Sequence, residues 1–234
     1  MSEKVIFEDL KTIDYKEAWD YQEGIFKELI DLKAENRELS EGEQKNIQSR
    51  VLFCEHPNVY TLGKSGEQNN LLVNDSFLEK INAKYYKINR GGDITYHGPG
   101  QIVGYPIIDL EKFDLQIKQY IAKLEESIIN TLKEYNIESG RISGSTGVWL
   151  DGESKNARKI CAIGVKASRF ITMHGFAFNI NTDLSYFNHI NPCGFVDKGV
   201  TSLEKELGKK IDIEDVKDKL KVNIQKVFNM KFIA

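Results

Sequence analysis

The sequence predicts an α/β fold with strands in the middle and helices on the outside. Two long segments with helical periodicity, at residues 14–39 and 116–136, are separated by short apolar runs and glycine-rich loops. No internal repeat, low-complexity linker or composition shift divides the 234 residues. We therefore predict one domain over residues 1–234.

The helices are predicted from apolar residues that recur every three or four positions. In the first helix these residues are Ala18, Ile25, Leu29 and Leu32. In the second they are Ile117, Ile121, Leu124, Ile128 and Leu132. Towards the end of the chain we predict a short helix at residues 202–207 and a longer one at 213–227, capped by Asp212.

The strands are predicted from compact apolar runs. VIFEDL and RVLFCEHP come first, and the polar stretch at residues 38–46 between them predicts a solvated connection. KYYKINRGG and QIVGYPIIDL follow. GVWLDG, KICAIGVKA and ITMHGFAFNIN are predicted to be three neighbouring strands.

Composition narrows the function classes. A content of 41% hydrophobic and 29% charged residues is typical of a soluble globular protein. The net charge of -3 argues against a dedicated nucleic-acid binder. Three cysteines without a close pair favour a reducing compartment. Without an apolar leader or a membrane-length apolar run, the sequence predicts a cytoplasmic protein with no membrane partner.

The first candidate motif is RGGDITYHGPGQ, residues 90–101. Its four glycines allow the backbone to approach a ligand closely and to expose its N–H groups. The spacing fits neither a P-loop nor a dinucleotide-binding loop. The alternative is a pair of tight turns, with His97 as a structural histidine bonded to a loop carbonyl.

The second candidate motif is NPCG, which places Cys193 on a turn between Pro192 and Gly194. Loops display nucleophiles, and Gly194 leaves room beside the sulfur for an acyl carbonyl. The alternative is a buried structural thiol, which we expect for Cys54 and Cys161 inside their apolar strands.

The third and fourth motifs are RKICAIGV and HGFAFN. Strict strand alternation puts Lys159 on the face of Cys161 and Ile163, opposite Ala162 and Gly164. If Lys159 points inward, desolvation lowers its pKa and makes it a candidate base; a position at the rim is the alternative. The small residues Gly164, Gly175 and Ala177 suit either the wall of a ligand channel or close packing. The four histidines are dispersed, and we predict no metal site and no cofactor.

Together these segments resemble the lipoyl(octanoyl) transferases of lipoate biosynthesis. The matching text is EHPNVYTLG, RGGDITYHGPGQIVGYPIIDL, TGVWLDG, RKICAIGVK, HGFAFNIN and HINPCG followed by VTSL, from Val51 to Leu207. The resemblance implies a mixed sheet flanked by helices, as in the catalytic domains of biotin and lipoate protein ligases. It also implies octanoyl transfer from acyl carrier protein to a lysine of lipoyl domains, in 2-oxoacid dehydrogenases and in the glycine-cleavage H protein.

By this resemblance, Cys193 is expected to carry the acyl thioester and Lys159 to be its acid/base partner. An acyl pocket is expected to be lined by Arg90, Gly91, Gly92, Asp93, Ile94, Thr95, Tyr96, His97, Ala162, Ile163, Gly164, Gly175, Phe176 and Ala177. The stretch at residues 38–46 is longer than the family pattern, and Cys161 is an extra thiol beside the expected site.

Two other functions compete with this one. An ATP-dependent lipoate or biotin protein ligase would share the fold and the acceptor, use a lysine in the place of Lys159, and need no cysteine at position 193. A non-catalytic module that holds an acylated carrier would form no covalent adduct. The NPCG turn and the RGGDITYHGPG text favour the transferase.

Overall fold

The computed structural model of the chain describes residues 2–40, 42–191 and 198–234. Its helices are α1 (Tyr15–Glu38), α2 (Asp75–Lys80), α3 (Ile117–Lys133), α4 (Leu203–Leu207) and α5 (Ile213–Phe228). Its strands are β1 (Glu3–Thr12), β2 (Arg50–Glu55), β3 (Val59–Leu62), β4 (Lys84–Lys87), β5 (Ile94–His97), β6 (Gln101–Ile107), β7 (Gly140–Ile142), β8 (Ser145–Leu150), β9 (Arg158–Ser168), β10 (Ile171–Asn179), β11 (Gly199–Val200) and β12 (Met230–Ile233).

The predicted helices are confirmed within three residues at each end, the largest difference being the end of α3 at Lys133 rather than at residue 136, and their caps explain where they begin. The Asp14 carboxylate accepts a hydrogen bond from the Lys16 amide at 2.8 Å, and Asp212 caps α5 through the Glu214 amide at 3.0 Å. The prediction that Ile117 lies on the buried face is wrong. Its side chain is 37% exposed because it occupies the first turn of α3, before that helix meets the sheet.

The main sheet is mixed, in the order β12-β1-β2-β6-β10-β9-β8-β7, with β11 added beside β9. Strands β8, β9 and β10 are antiparallel neighbours, which confirms the prediction for those three segments. Parallel pairing joins β1 to β2 and to β12, and β9 to β11. Helices cover both faces: α3 and α5 pack on one core, and α1 packs on the other.

A second, smaller sheet of β4, β3 and β5 was not predicted. Its strand β5 lies inside the glycine-rich motif, which the sequence indicated as loop. Tyr15, the first residue of α1, joins this sheet to the rest of the molecule by stacking on Tyr86 and His97 at ring distances of 5.6 and 5.9 Å. The space between the two sheets is where the predicted pocket residues meet.

Candidate functional site

A cavity of about 280 Å³ lies between the small sheet and the α1 face of the main sheet. This volume is close to the lower end of the ~300–1,000 Å³ typical of small-molecule sites. Among the predicted site residues, its walls include Arg90, Gly92, Asp93, Ile94, Thr95, His97, Lys159, Ala162, Ile163, Gly164, Gly175, Phe176 and Ala177.

Two predicted pocket residues, Gly91 and Tyr96, are not part of this lining. Thr95 and His97 face the cavity from one side of β5, and Ile94 borders it at the start of the strand, whereas Tyr96 packs in the small core on the other side. The Tyr96 ring stacks on Tyr186 at 4.8 Å, and its hydroxyl donates to Asn58 Oδ1 at 2.8 Å. The Gly91 amide donates to the Val165 carbonyl at 2.9 Å, so this residue joins the loop to β9.

The buried side chain of Arg90 attaches the glycine-rich loop to β3 of the small sheet. Its guanidinium donates to the Thr61 carbonyl at 2.8 Å and to the Thr61 hydroxyl at 3.0 Å. A Cβ on Gly164 would lie 2.8 Å from the Gly91 carbonyl oxygen, and one on Gly175 would lie 2.1 Å from that of Gly104. Both glycines therefore permit close packing as well as bordering the cavity.

Lys159 reaches the cavity because the pairing of β9 with β8 contains a β-bulge. Val148 pairs with Cys161 while the next residue, Trp149, pairs with Lys159, so Ile160 is the extra residue. Ile160 and Cys161 are both buried in the core on the α3 side. The prediction that Lys159 shares the face of Cys161 is wrong, because the bulge shifts it to the face of Ala162 and Gly164. Its side chain is half-buried, between the inward and rim positions that the sequence leaves open.

Three histidines near the cavity are buried: His97 and His174 line it, and His56 lies behind the wall against Tyr15, His97 and Tyr105. Burial lowers the pKa of His97 to about 3, with His56 contributing, and lowers that of His56 to about 4. His97 Nδ1 lies 2.9 Å from Gln101 Oε1 and Nε2 lies 3.3 Å from the Thr61 hydroxyl, which fits a neutral ring with the proton on Nδ1. Such a ring is a weak base at neutral pH.

His174 has a strained backbone, with φ of 61° inside β10. Its amide donates to Gln22 Oε1 at 3.3 Å, and its Nε2 lies 3.3 Å from Asn89 Oδ1. Burial, with a contribution from Arg90, lowers the pKa of His174 to about 3. Left-handed conformations in residues with a Cβ cost about 1–2 kcal/mol, and they cluster at functional sites.

Cys193 lies outside the described residues, as does the rest of segment 192–197. On one side of this segment, the Asn191 amide donates to the Asn70 carbonyl at 2.8 Å. On the other side, Lys198 lines the cavity, and β11 pairs Val200 with Lys159. The other two thiols are buried, and burial raises the pKa of both Cys54 and Cys161.

Within the described residues, no group of histidine, cysteine and acidic side chains is arranged to hold a metal ion. In the same part of the chain, no helix has the length and apolar character needed to span a bilayer.

Comparison with known proteins shows which family the chain resembles. Residues 14–225 match the lipoyl protein ligase A/B catalytic domain. The chain belongs to this family. An octanoyltransferase of Christiangramia forsetii is 56% identical over 97% of each chain, and one of Flavobacterium johnsoniae is 54% identical over 100% of both. An octanoyltransferase of Bacteroides thetaiotaomicron is 49% identical over 97% of each chain.

Solved structures of the lipoyl protein ligase A/B type share the fold. A bipartite lipoate protein ligase of Thermoplasma acidophilum superposes with a TM-score of 0.70 at 15% identity, covering 99% of this chain and 86% of that one. A lipoate-protein ligase A bound with ATP gives 0.65 at 14% identity, covering 100% and 90%. The predicted mixed sheet flanked by helices is thereby confirmed as the lipoate ligase fold.

Several cavity residues of this family member were missed by the sequence analysis: Tyr15, Gln101, Val103, Tyr105, Gly144, Ser145, Thr146, Trp149, His174, Asn179, Phe187, Lys198, Gly199 and Val200. A usable signal existed for Gln101 and Asn179, which are polar residues within buried strands. They bond to each other at 2.9 Å. Tyr15 and Tyr105 look like ordinary core residues in the sequence, and only the packing of α1 and β6 brings them to the cavity.

Proposed function

We propose that this chain transfers an octanoyl group from octanoyl-acyl carrier protein to a lysine of lipoyl domains, through a thioester on Cys193. The acceptors are the lipoyl domains of 2-oxoacid dehydrogenases and the glycine-cleavage H protein, in the cytoplasm, and residues 1–234 act as a single domain. The chain is an acyltransferase of the octanoyltransferase type. Identity of 49–56% to octanoyltransferases over nearly the whole chain carries this conclusion.

The cavity has the chemistry that an acyl chain requires. Val103, Ile163, Phe176 and Ala177 supply apolar surface along its walls. Burial of each methylene of the chain contributes about 0.8 kcal/mol. Lys159 and Lys198 line the same cavity as these apolar groups, and Lys198 directly follows segment 192–197. This supports a reacting carbonyl near Lys159 and an alkyl chain that extends inward between the sheets.

In the first half-reaction, neutral Lys159 accepts the Cys193 proton, and the ammonium it becomes favours the thiolate. The thiolate attacks the donor carbonyl, the C–S bond to the carrier breaks, and Lys159 returns the proton to the departing thiolate. One thioester replaces another, so the step is nearly isoenergetic.

In the second half-reaction, the amine of the acceptor lysine attacks the acyl-Cys193 carbonyl. Neutral Lys159 accepts the amine proton and returns it to the departing Cys193 sulfur. Formation of an amide from a thioester is downhill, and neither half-reaction requires ATP. Because Lys159 and Cys193 exchange a proton, the two groups titrate as a pair.

An ATP-dependent ligase is the second candidate, because the solved relatives that share the fold are ligases and one of them is bound with ATP. One experiment distinguishes the transferase activity from the ligase activity. A lipoyl domain is incubated with the chain and either octanoyl-acyl carrier protein without ATP, or octanoate with ATP. Acceptor mass then reports transfer, and a lipoyl domain with its acceptor lysine replaced by arginine is the control.

We expect the lipoyl domain to gain one octanoyl group with the carrier-bound donor and none with octanoate and ATP. Modification only in the presence of octanoate and ATP would overturn the proposal in favour of a ligase. No modification under either condition, with folded protein, would favour a module that binds an acylated carrier.

A further inference from the structure

Lys159 lies in a groove on the neighbouring strand β8. A Cβ on Gly147 would lie 3.4 Å from Lys159 Cε and 3.5 Å from Cδ, so the aliphatic stem passes directly over this glycine. Gly147 has φ of 123°, and its Cβ would also lie 2.5 Å from the Cys161 carbonyl. A larger residue at position 147 would fill the groove and strain the backbone.

The far side of the groove is the indole of Trp149. Lys159 Nζ lies 4.6 Å from the centre of this ring, within the range of a cation–π interaction. Nζ of Lys198 lies 5.3 Å from the centre of the same ring. The Trp149 ring therefore lies within cation–π distance of two ammonium groups. One belongs to Lys159, the proposed acid/base residue, and the other to Lys198, the first described residue after segment 192–197.

Trp149 is itself held rigidly. Its side chain is 3% exposed, and its indole N–H donates to the Ser145 carbonyl at 3.0 Å. Strand β8 is in turn attached to α3, because the buried carboxylate of Glu125 accepts the Gly147 amide at 3.0 Å and the Arg141 guanidinium at 2.8 Å. Because the indole is already fixed, orienting Lys159 against it costs only the conformational entropy of the lysine side chain.

We propose that Trp149 is a positioning residue for Lys159, holding its ammonium group at the end of the cavity where acyl transfer takes place. This inference rests on the proposed function. The lysine has four rotatable bonds, and the ring face, the groove at Gly147 and the β-bulge at Ile160 together select one direction for it. A shift of about 1 Å in a catalytic group can cost on the order of a hundredfold in rate.

The test compares Trp149→Phe and Trp149→Leu with the wild type. Acetic anhydride labels lysines in their neutral form, and peptide mass spectrometry gives the pH midpoint of Lys159 labelling. Exposed Lys118 on α3 is the internal reference in each digest. Trp19→Leu is the matched control, because it removes the only other tryptophan of the chain.

Loss of the ring in Trp149→Leu is expected to lower the Lys159 midpoint by about half a pH unit or more, with Trp149→Phe intermediate. Trp19→Leu is expected to leave that midpoint unchanged. In transfer assays, kcat of Trp149→Leu should fall about tenfold or more while KM for the acyl donor stays within about twofold.

An unchanged Lys159 midpoint in folded Trp149→Leu would overturn the proposal, and so would equal kcat losses in the Phe and Leu variants. The labelling measurement does not depend on transfer. If Lys159→Ala keeps full transfer activity, the catalytic role of Lys159 fails, while the midpoint shift still decides whether Trp149 holds its side chain.

Discussion

Lys159 lies at the cavity because Ile160 interrupts the alternation of β9. Its ammonium form favours a thiolate nearby, and its neutral form accepts a proton, so two substitutions separate these roles. We expect Lys159→Ala to slow acylation and to raise the pH at which Cys193 reacts with iodoacetamide. Lys159→Arg keeps the charge but does not deprotonate, so it should retain more thiolate reactivity than transfer activity.

The measurement is the iodoacetamide rate against pH, alongside the transfer rate, for both variants. If the iodoacetamide rate of Cys193 depends on pH in both variants as it does in the wild type, Lys159 is a structural rim residue. The base would then have to be sought elsewhere, and the low pKa of His97, about 3, makes that histidine a poor substitute.

Substitution of Ala177 tests whether the cavity limits the length of the acyl chain. It is 4% exposed, lines the cavity and pairs with Ala162 across the sheet. Ala177→Leu should shift preference towards shorter acyl chains, because overpacking a tight site costs about 1–3 kcal/mol. Ala167→Leu, at an exposed position of β9, is the control. The measurement is the transfer rate with acyl donors of increasing chain length. If Ala177→Leu and Ala167→Leu both keep the chain-length preference of the wild type, Ala177 does not limit the acyl chain.

At the scale of elements, the start of α1 matters because Tyr15, its first residue, forms part of the cavity wall. Asp14 caps this helix and also accepts a hydrogen bond from Lys84 of β4 at 2.6 Å. We expect Asp14→Ala to lower the free energy of unfolding by about 1 kcal/mol and to weaken retention of the acyl chain. Asp212→Ala removes the cap of α5, away from the cavity, and should cost similar stability without affecting the acyl chain.

Urea unfolding and the lifetime of the octanoyl adduct measure the two effects. Equal adduct lifetimes in Asp14→Ala and Asp212→Ala would show that the cap does not influence the cavity. Asp14→Asn retains a side-chain acceptor and should restore most of the stability.

The elements that sequence predicts best are those whose signal is local. α1, α3 and α5 have long apolar periodicity with aspartate caps at two of them, and β8, β9 and β10 are long apolar runs. Strand β5 has only four residues between glycines, and Tyr96 is fixed by stacking on Tyr186, 90 positions away in the chain. The bulge at Ile160 arises from pairing between two strands, so no pattern within β9 alone predicts that Lys159 and Ala162 share a face.

For the whole molecule, the buried histidines predict a loss of stability in mild acid. Their pKa values of about 3 to 4 in the folded protein lie below the ~6.5 of an unfolded histidine. Below pH 6.5 the unfolded chain therefore binds protons that the folded chain does not. This contribution to stability is fully present above pH 6.5, and it is lost progressively as the pH falls to about 4 for His56 and to about 3 for His97 and His174.

Urea midpoints measured between pH 7 and pH 4.5 test this expectation. His97→Gln removes one titrating group and keeps an amide beside Gln101, so its midpoint should change less steeply with pH than that of the wild type. A wild-type midpoint that stays constant over this range would contradict neutral buried histidines.

In the proposed mechanism one cysteine carries the acyl group, and the intact mass of the protein after incubation with octanoyl-acyl carrier protein shows which one. We expect the wild type, Cys54→Ala and Cys161→Ala to gain one octanoyl group, because both of those thiols are buried and their pKa is raised. Cys193→Ala should gain none and should lose transfer to the lipoyl domain. An octanoyl adduct that persists in Cys193→Ala would show that Cys193 is not the residue that carries the acyl group.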